Sequence, residues 1–445
     1  VGEVGRGQAA RTLLDRTSGL DARERALLTE LVYGTVRHKE TLEHLVESAS
    51  TRGIEKAGEP VANALLVAAY QLLFLDHVPA AVAVSEAVES VRAPHLKRFV
   101  NGLLRGLGRL VVGRKAVDEA PPGVPGTRRL PGRDGGWVIL AEDLLPDPAR
   151  DPAGWLAIAT AHPEGLIRRW LPRFGFERTL ELCKAGNAPP PLCLRANVLR
   201  GSRDALVAEL AAHGARPGKE APEAVYLDHS GDPAQLPAFR EGRCTVQDET
   251  AMLVAPLCRL VPGQRVLDLC AAPGGKSTHL AELLHDEGRV VAFDADGARL
   301  DRVRENVARL GLRCVEVRAG GIEGATSGGA SPSDPPRFDA VLADVPCSNS
   351  GVLRRRVEVR ARVDALERAP LLAIQRDLVR RALARLAPGG TLVYSTCSID
   401  EDENEAQTRA ILEHEPRLVL ATERLTLPSR GGGDGGYAAA MVLTA

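Results

Sequence analysis

No C-x-x-C pair occurs in this chain of 445 residues, although it holds eight cysteines, at 183, 193, 244, 258, 270, 314, 347 and 397. The spacing that gathers thiolates around zinc is missing, and no metal site is expected. A disulfide framework is not expected either. The chain is long, and its first residues, VGEVGRGQAARTLL, contain no apolar stretch of the kind that directs secretion. No uninterrupted apolar run reaches membrane-spanning length. Lys and Arg total 57 against 58 Asp and Glu, so net charge by itself names no partner. These absences predict a soluble, cytoplasmic protein of a reducing compartment, with no membrane contact; a monomer is expected, although no sequence feature sets the oligomeric state.

What is present is organised in blocks, and a chain of this length predicts two or three domains, each with its own core. Residues 1–112 read as a helical bundle. In DARERALLTELVYGTVRHKETLEHLV, the apolar residues Leu28, Leu31, Val32, Val36, Leu42, Leu45 and Val46 recur at helical spacing, and Asp21 is the expected N-cap. Helices are also expected over Glu59 to Leu75, Ala80 to Val91 and His95 to Leu110. The last carries Lys97, Arg98, Arg105 and Arg109 on one side, an edge open to two readings: a plain solvated face, or RNA contact. Residues 113–156 are rich in Pro, Gly and charge and read as a linker with little core, apart from WVIL at Trp137 to Leu140. A small α/β module is expected over 157–244. From 245 to 445, strand-like and helical stretches alternate, which predicts βαβ units and a parallel sheet. The expected strands are Arg265–Leu269, Val290–Asp294, Cys314–Arg318, Ala340–Asp344 and Thr391–Ser395. Ligands of such sheets bind at the carboxyl ends of the strands. The run Gly320 to Pro336 reads as a surface insertion.

The first strand of that sheet runs into CAAPGGKST, residues Cys270 to Thr278. GGKST imitates a phosphate-binding P-loop, but the Gly that opens such a loop is replaced by Cys270. No G-x-G-x-x-G dinucleotide fingerprint is present. Asp294 nevertheless ends the next strand, 20 residues after Gly274, where a carboxylate can accept both hydroxyls of a ribose. A loop permitting close approach, with a ribose acid and no phosphate nest, fits S-adenosylmethionine. The plainer alternative is a tight strand–helix turn with a capping Asp.

Cys347, in VLADVPCSNSG, and Cys397, in GTLVYSTCSIDEDEN, both follow strand ends beside this loop. Buried cysteine is usually an inert small hydrophobe, the reading that suits most of the eight. A thiol pair beside a methyl donor suits another chemistry. Carbon 5 of a pyrimidine is a poor nucleophile until a thiolate adds at carbon 6, and cysteine can both attack and leave. An ordinary cysteine is only about 3% thiolate at neutral pH, so the nucleophile must be activated. Asp344, three residues before Cys347, is placed to hydrogen-bond nitrogen 3 of cytosine. The stretch Gly351 to Arg385 holds ten Arg and four acids, a local excess of +6 that a solvated helix face or an RNA backbone would explain.

LDLCAAPGGKSTHL, VVAFDADGARLDRV, LADVPCSNSGVLRR and LVYSTCSIDEDENE resemble, in this order, the motifs of the RNA 5-methylcytosine methyltransferases of the Sun/Fmu (RsmB) type. LVYGTVRHKETL and RFVNGLLRGL are similar to the NusB-like RNA-binding domain of bacterial members. The resemblance implies a multidomain fold: an all-α NusB-like bundle, a small α/β RNA-contacting module, and a Rossmann-like methyltransferase domain. It implies Cys397 as nucleophile, Cys347 as the group that assists release, and Asp344 touching base and cofactor. It also implies that Cys270, Ala271, Ala272, Pro273, Gly274, Gly275 and Lys276 wrap S-adenosylmethionine, with Asp294 on its ribose. The implied substrate is 16S ribosomal RNA, at one cytosine, position 967 in the usual RNA numbering. The alternatives are a transfer RNA cytosine-5 methyltransferase and a non-catalytic RNA-binding or ribosome assembly factor. One departure stands out: Gly320 occupies the place of an Asp beside the adenine, with Glu323 the nearest substitute.

Overall fold

A computed structural model describes residues 14, 17, 19–50, 53–54, 57–115, 125–133, 135–228, 232–320, 337–364 and 367–444. Glu323 and the rest of the expected insertion after Gly320 lie outside the described residues. Contacts divide the chain into two compact units, Val1–Pro189 with Leu353–Leu366, and Pro190–Val352 with Glu367–Ala445.

The first unit begins as the apolar periodicity predicts. Helix α1 (Ala22–Arg37) starts at Asp21, whose carboxylate accepts from the Glu24 amide while Glu24 accepts from the Asp21 amide. This reciprocal pair satisfies two donors that a helix start leaves orphaned. The single expected run breaks at His38, so that α2 (Lys39–Ser48) buries Leu42, Leu45 and Val46 separately. Helices α3 (Glu59–Phe74), α4 (Ala80–Ser90) and α5 (Pro94–Leu110) follow close to their expected spans. Gly34 admits the Tyr70 ring: a Cβ there would meet ring atoms at 2.0–2.3 Å.

The region read as a linker is not one where it is described. Strands β1 (Val111–Lys115), β2 (Arg129–Pro131) and β3 (Trp137–Leu140) form an antiparallel sheet in the order β1-β3-β2. Leu130, Trp137, Val138 and Leu140 are buried in it. Its Pro and Gly punctuate short strands rather than space two domains, and two tryptophans, 137 and 155, supply a core that a count of apolar residues undervalues. Helices α6 (Pro152–Thr160) and α7 (Glu164–Asn187) complete this part, so the expected 157–244 module is divided near Pro189.

The Arg-rich stretch after Cys347 is also not one exposed face. Arg360 is buried and donates to the carbonyls of Arg37, Ala161 and Gly186 and to Asn187 Oδ1, all at 2.8–3.0 Å. Burial lowers its guanidinium to about 10. Arg354 is buried as well, its carbonyl accepting from Arg37 at 2.9 Å. Guanidinium groups collect carbonyls well, and here the two terminal nitrogens of Arg360 serve packing rather than a nucleic acid.

The second unit opens with a four-stranded antiparallel sheet in the order β5-β6-β4-β7: β4 (Leu192–Ala196), β5 (Arg216–Pro217), β6 (Ala224–Leu227) and β7 (Cys244–Val246), with α8 (Arg203–Glu209) packed on it. Seven further strands form one sheet in the order β10-β9-β8-β11-β12-β14-β13. These are β8 (Arg265–Asp268), β9 (Arg289–Asp294), β10 (Val315–Ala319), β11 (Phe338–Asp344), β12 (Leu386–Thr396), β13 (Leu418–Thr426) and β14 (Gly436–Leu443). The first five are parallel, and β14 runs antiparallel between β12 and β13. Helices α9 (Gly275–Leu283), α10 (Leu300–Leu310), α11 (Arg368–Leu383) and α12 (Glu405–His414) connect them. Both faces are covered by apolar clusters, which is why the central strands read as continuous apolar runs. Strand order reverses between β8 and β11, and a crevice opens at such a switch point.

Among the described residues, no helix is long and apolar enough to cross a membrane.

Candidate active site

Each expected site residue except those of the α9 start sits at or just past the carboxyl end of a strand. The Cys270–Gly274 loop leaves β8, Asp294 ends β9, Asp344 ends β11 with Cys347 three residues on, and Cys397 follows β12. Strands β11 and β12 are hydrogen-bonded neighbours with Asp344 opposite Ser395. That register brings the two sulfurs together: Cys347 Sγ lies 3.1 Å from Cys397 Sγ.

The cofactor loop spends its amides within the protein. The Ala271 amide donates to Phe293 O at 2.9 Å, Ala272 to Asp294 Oδ2 at 3.2 Å, and Gly274 to Ala271 O at 2.7 Å. A phosphate nest needs such amides free and convergent, and these three are not. Gly274 has φ +100°, and a Cβ there would press on Val303 at 3.1 Å, so the turn requires glycine. Asp294 is buried and accepts from the amides of Ala272 and Asp296, leaving each oxygen a further lone pair. Small side chains at Ala271 and Ala272 beside an acceptor carboxylate fit an adenosine ribose and no phosphate. These residues therefore fit S-adenosylmethionine. Gly320 has φ +116°, a conformation that strains an Asp, so an acid beside the adenine is not supplied from this position.

Asp344 is held from both sides. Its Oδ2 accepts from Lys276 Nζ at 2.7 Å and its Oδ1 from Ser395 Oγ at 2.7 Å. Burial opposes the Lys276 charge. Asp344, by charge and hydrogen bond, and then the nearby Cys397 outweigh it and hold the ammonium above its ordinary pKa. A fixed cation thus stands beside the β12 sulfur.

The thiols differ in environment. The hydrogen bond to Cys397, then burial, then the charges of Cys397 and Glu403 push the Cys347 thiol well above its ordinary range. These causes favour the protonated form of Cys347, and either sulfur can be the donor of the contact between them. Cys270, by contrast, is driven up first by burial and then by the Asp344 charge, and faces no thiol; it lines the loop.

Sequence reasoning missed several supporting groups. Asn349 has φ +63°, and its Oδ1 accepts from Cys397 Sγ at 3.1 Å while its Nδ2 donates to Cys347 O at 2.8 Å. The Asn preference for left-handed backbone was a usable signal. Glu403 is fully buried and accepts from the Ser348 amide at 2.8 Å and from Gln375 at 3.1 Å, fixing the Cys347 loop. Arg368 pairs with Asp400, Asp402 and Glu403, so this arginine also serves the loop. Asp248 accepts from the amides of Thr250 and Asp434, tying a glycine-rich segment beside Cys397. Lys276, Asp344, Cys397, Thr250, Asp434 and Gly436 line a cavity of about 150 Å³. An apolar cavity of about this volume holds benzene, so one six-membered ring fits.

The chain is similar to known proteins over most of its length. The family model described as 16S rRNA methyltransferase RsmB/F matches residues 255–434, the NusB family model residues 4–109, and the model described as Methyltr_RsmF/B-like, ferredoxin-like domain residues 162–233. The chain is 32% identical over 406 residues to the probable ribosomal RNA small subunit methyltransferase B of Bacillus subtilis, spanning 90% of this chain and 83% of that one. It is 34% identical over 439 residues to ribosomal RNA small subunit methyltransferase B of Pseudomonas putida, spanning 95% and 91%. The crystal structure of PH0851 shares the fold, with a TM-score of 0.72 at 24% identity over 97% of this chain and 93% of that one. A methyltransferase homolog protein from Pyrococcus horikoshii aligns with a TM-score of 0.56 at 26% identity, covering 64% of this chain and 97% of its own.

Proposed function

The chain belongs to the 16S rRNA methyltransferase RsmB/F family, and on that premise we propose that it methylates carbon 5 of one cytosine in 16S ribosomal RNA, of the position 967 type, through a covalent adduct on Cys397. The observation that carries this reading is the 3.1 Å approach of two thiols from adjacent strands, beside the Lys276–Asp344 pair.

S-adenosylmethionine, when bound, supplies the methyl group that carbon 5 takes. Asp294 and the loop from Cys270 through Lys276 would hold it, with Asp344 between it and the base. The target base must leave its stack to enter the cavity, which favours a loop or an accessible helix end. Cys397 adds as thiolate to carbon 6, next to the Lys276 ammonium that offsets its charge. Asp344 hydrogen-bonds nitrogen 3, relaying to it the proton that leaves the Cys397 thiol and taking it back when that sulfur departs, which stabilises the charge that addition pushes into the ring.

Cys347 is protonated at the start. Once Cys397 is bonded to carbon, its charge and its hydrogen-bond demand vanish, and two of the causes that raise Cys347 vanish with them. Cys347 can then release its proton to solvent and, as thiolate, take the proton from carbon 5. The freed electron pair restores the 5,6 double bond and expels the Cys397 thiolate. One sulfur thus attacks while the other waits, and the covalent state of the first sets the basicity of the second.

Cys397→Ala is expected to abolish methyl transfer, and Cys347→Ala to accumulate a protein–RNA adduct on a denaturing gel. An adduct trapped by Cys397→Ala instead would reverse the two roles. Bisulfite mapping of 16S RNA from a deletion strain tests the substrate: an unchanged ribosomal site would leave transfer RNA as the target. Absence of S-adenosylmethionine binding by calorimetry would point to a non-catalytic assembly factor.

A further inference from the structure

Methyl transfer asks each of the two sulfurs to reach the base; it does not ask them to touch each other, yet they do. Cys347 Sγ lies 3.1 Å from Cys397 Sγ, and both residues are partly exposed. A disulfide bond is about 2.05 Å long, so closing this gap needs roughly 1 Å of sulfur movement. The two residues follow β11 and β12, which are hydrogen-bonded neighbours, and the loops behind the sulfurs are tied to each other. The Gly351 amide donates to Cys397 O at 3.0 Å, and Cys397 Sγ donates to Asn349 Oδ1 at 3.1 Å. Glu403 holds the same loop through the Ser348 amide at 2.8 Å. Much of the ordering that a bond between the sulfurs demands is thus already present in the reduced fold.

The other six cysteines stand elsewhere in chemical terms. Cys183, Cys193, Cys244 and Cys258 are buried, and Cys270 and Cys314 are partly exposed. Burial and then the Asp344 charge push the Cys270 thiol up, and burial with the Asp286 hydrogen bond and charge pushes Cys314 up to about 12. Both shifts disfavour the thiolate, the form that attacks an oxidant. Cys397 differs in having the Lys276 ammonium near it and a second thiol in contact. A nearby cation and a resolving thiol are what a reversible thiol oxidation site needs.

We propose that Cys397 and Cys347 form an oxidative modification site whose co-reactant is a hydroperoxide, and that the disulfide formed there switches methyl transfer off reversibly. The Cys397 thiolate attacks one oxygen of hydrogen peroxide; the O–O bond breaks, and the other oxygen leaves as hydroxide and takes a proton to become water. Cys397 is then a sulfenic acid. Its charge is gone, and with it two of the causes that hold the proton on Cys347. Cys347 releases that proton to solvent and its thiolate attacks the Cys397 sulfur. The S–S bond forms, the S–O bond breaks, and the departing hydroxide becomes a second water. Two thiols have lost two electrons and two protons, and one peroxide has become two waters. A dithiol reverses the step by exchange and is itself oxidised. While the bond stands, no thiolate can add to carbon 6, and Cys397 is shielded from the irreversible sulfinic acid. The effect on activity rests on the methyltransferase reading above; the bond itself does not.

The full chain is treated with hydrogen peroxide, its remaining thiols are alkylated, and mass spectrometry is run without reductant. The expected product lacks two hydrogens, about 2 Da, and yields a peptide that joins Cys347 to Cys397. Methyl transfer to a 16S RNA fragment should fall about tenfold or more and return with dithiothreitol. In Cys347→Ala no thiol resolves the sulfenic acid, so Cys397 should gain two oxygens, about 32 Da, that dithiothreitol does not remove. That readout is a mass and needs no activity from the variant. Oxidation of Cys397 with no joined peptide in the wild type overturns the proposal. So does oxidation of Cys270 or Cys314 at lower peroxide than the pair, or a Cys397 as well protected in Cys347→Ala as in the wild type. Should the joined peptide form in a protein that transfers no methyl group even when reduced, the methyltransferase reading fails and the modification site stands. Should the reduced protein methylate and the joined form keep its full rate, the switch alone fails.

Discussion

Replacing Arg195 by methionine tests how the β4 sheet fixes the cofactor loop. Arg195 is fully buried on β4, and its guanidinium forks onto Glu282 of α9, Nε to Oε2 at 3.0 Å and NH2 to Oε1 at 2.7 Å. It also donates to Gly275 O at 2.7 Å, to Thr278 Oγ1 at 3.0 Å and to Gln247 Oε1. One side chain from the smaller sheet thus holds the first turn of the helix that carries Lys276. Burial raises the Glu282 carboxyl against the opposing pull of Arg195, so the pair stands only while both partners do. Removing one member of a buried pair costs about 3–5 kcal/mol, because the remaining charge stays dry and uncompensated. The expected result is amide hydrogen exchange in α9 faster by roughly two to four orders of magnitude, at about 1.4 kcal/mol per tenfold. Affinity for S-adenosylmethionine should fall with it. The double variant Arg195→Met, Glu282→Leu removes both charges and should recover at least half of the loss. Exchange slowed by less than the equivalent of about 1 kcal/mol on going back to wild type from the single variant, or a double variant no better than the single, would refute the reasoning.

Burial lifts the Asp268 carboxyl to about 7, against the Ser277 hydrogen bond that favours its charge and with the Asp344 charge adding to the rise. The folded state therefore keeps a proton that the unfolded chain releases near pH 4. Stability is full below that pH and falls as pH rises toward 7, by up to about 4 kcal/mol. Asp268→Asn should flatten this slope in denaturation midpoints taken at pH 5 and pH 8; an unchanged slope contradicts it. Asp294→Asn should weaken S-adenosylmethionine binding by calorimetry at least tenfold, the equivalent of one charge-assisted hydrogen bond at about 1.5–3 kcal/mol, and an unaltered Kd would remove Asp294 from the ribose. At Gly351 a Cβ would meet Gly435 O at 2.5 Å and Cys397 O at 2.8 Å, both backbone. Gly351→Ala is expected to cost about 1–3 kcal/mol and to slow single-turnover methyl transfer more than tenfold, and normal turnover would show that the Cys397 loop tolerates displacement.

Much of the site was legible because a parallel sheet has a simple grammar. Buried strands are continuous apolar runs, and chemistry collects where they end, so Asp294, Asp344, Cys347 and Cys397 could be placed before any coordinates. Residues that act across long separations had no such signal. Arg195 meets Glu282 after 87 residues, and Ser348 meets Glu403 after 55. The Arg-rich stretch misled for a related reason: composition cannot distinguish an arginine facing a phosphate from one, such as Arg360, facing carbonyls. Strand β13 went unanticipated because this edge strand alternates in burial and lacks a long apolar run, and β14 because its buried run is built largely of alanine, a weak strand former.

Local order in the chain determined the elements: the Asp21 cap, the glycine at 274, the spacing of apolar residues, and two cysteines each placed just past a strand. Those are short-range properties, set by backbone sterics and by which side chains leave water. Whether the two cysteines meet was decided by the pairing of β11 with β12 in one register, since a shift of one residue would turn an entire strand face away. The different surroundings of the two thiols, Cys347 pushed up by its neighbour and burial and Cys397 near a lysine, came later still, from the charges and burial that only the assembled sheet brings within reach.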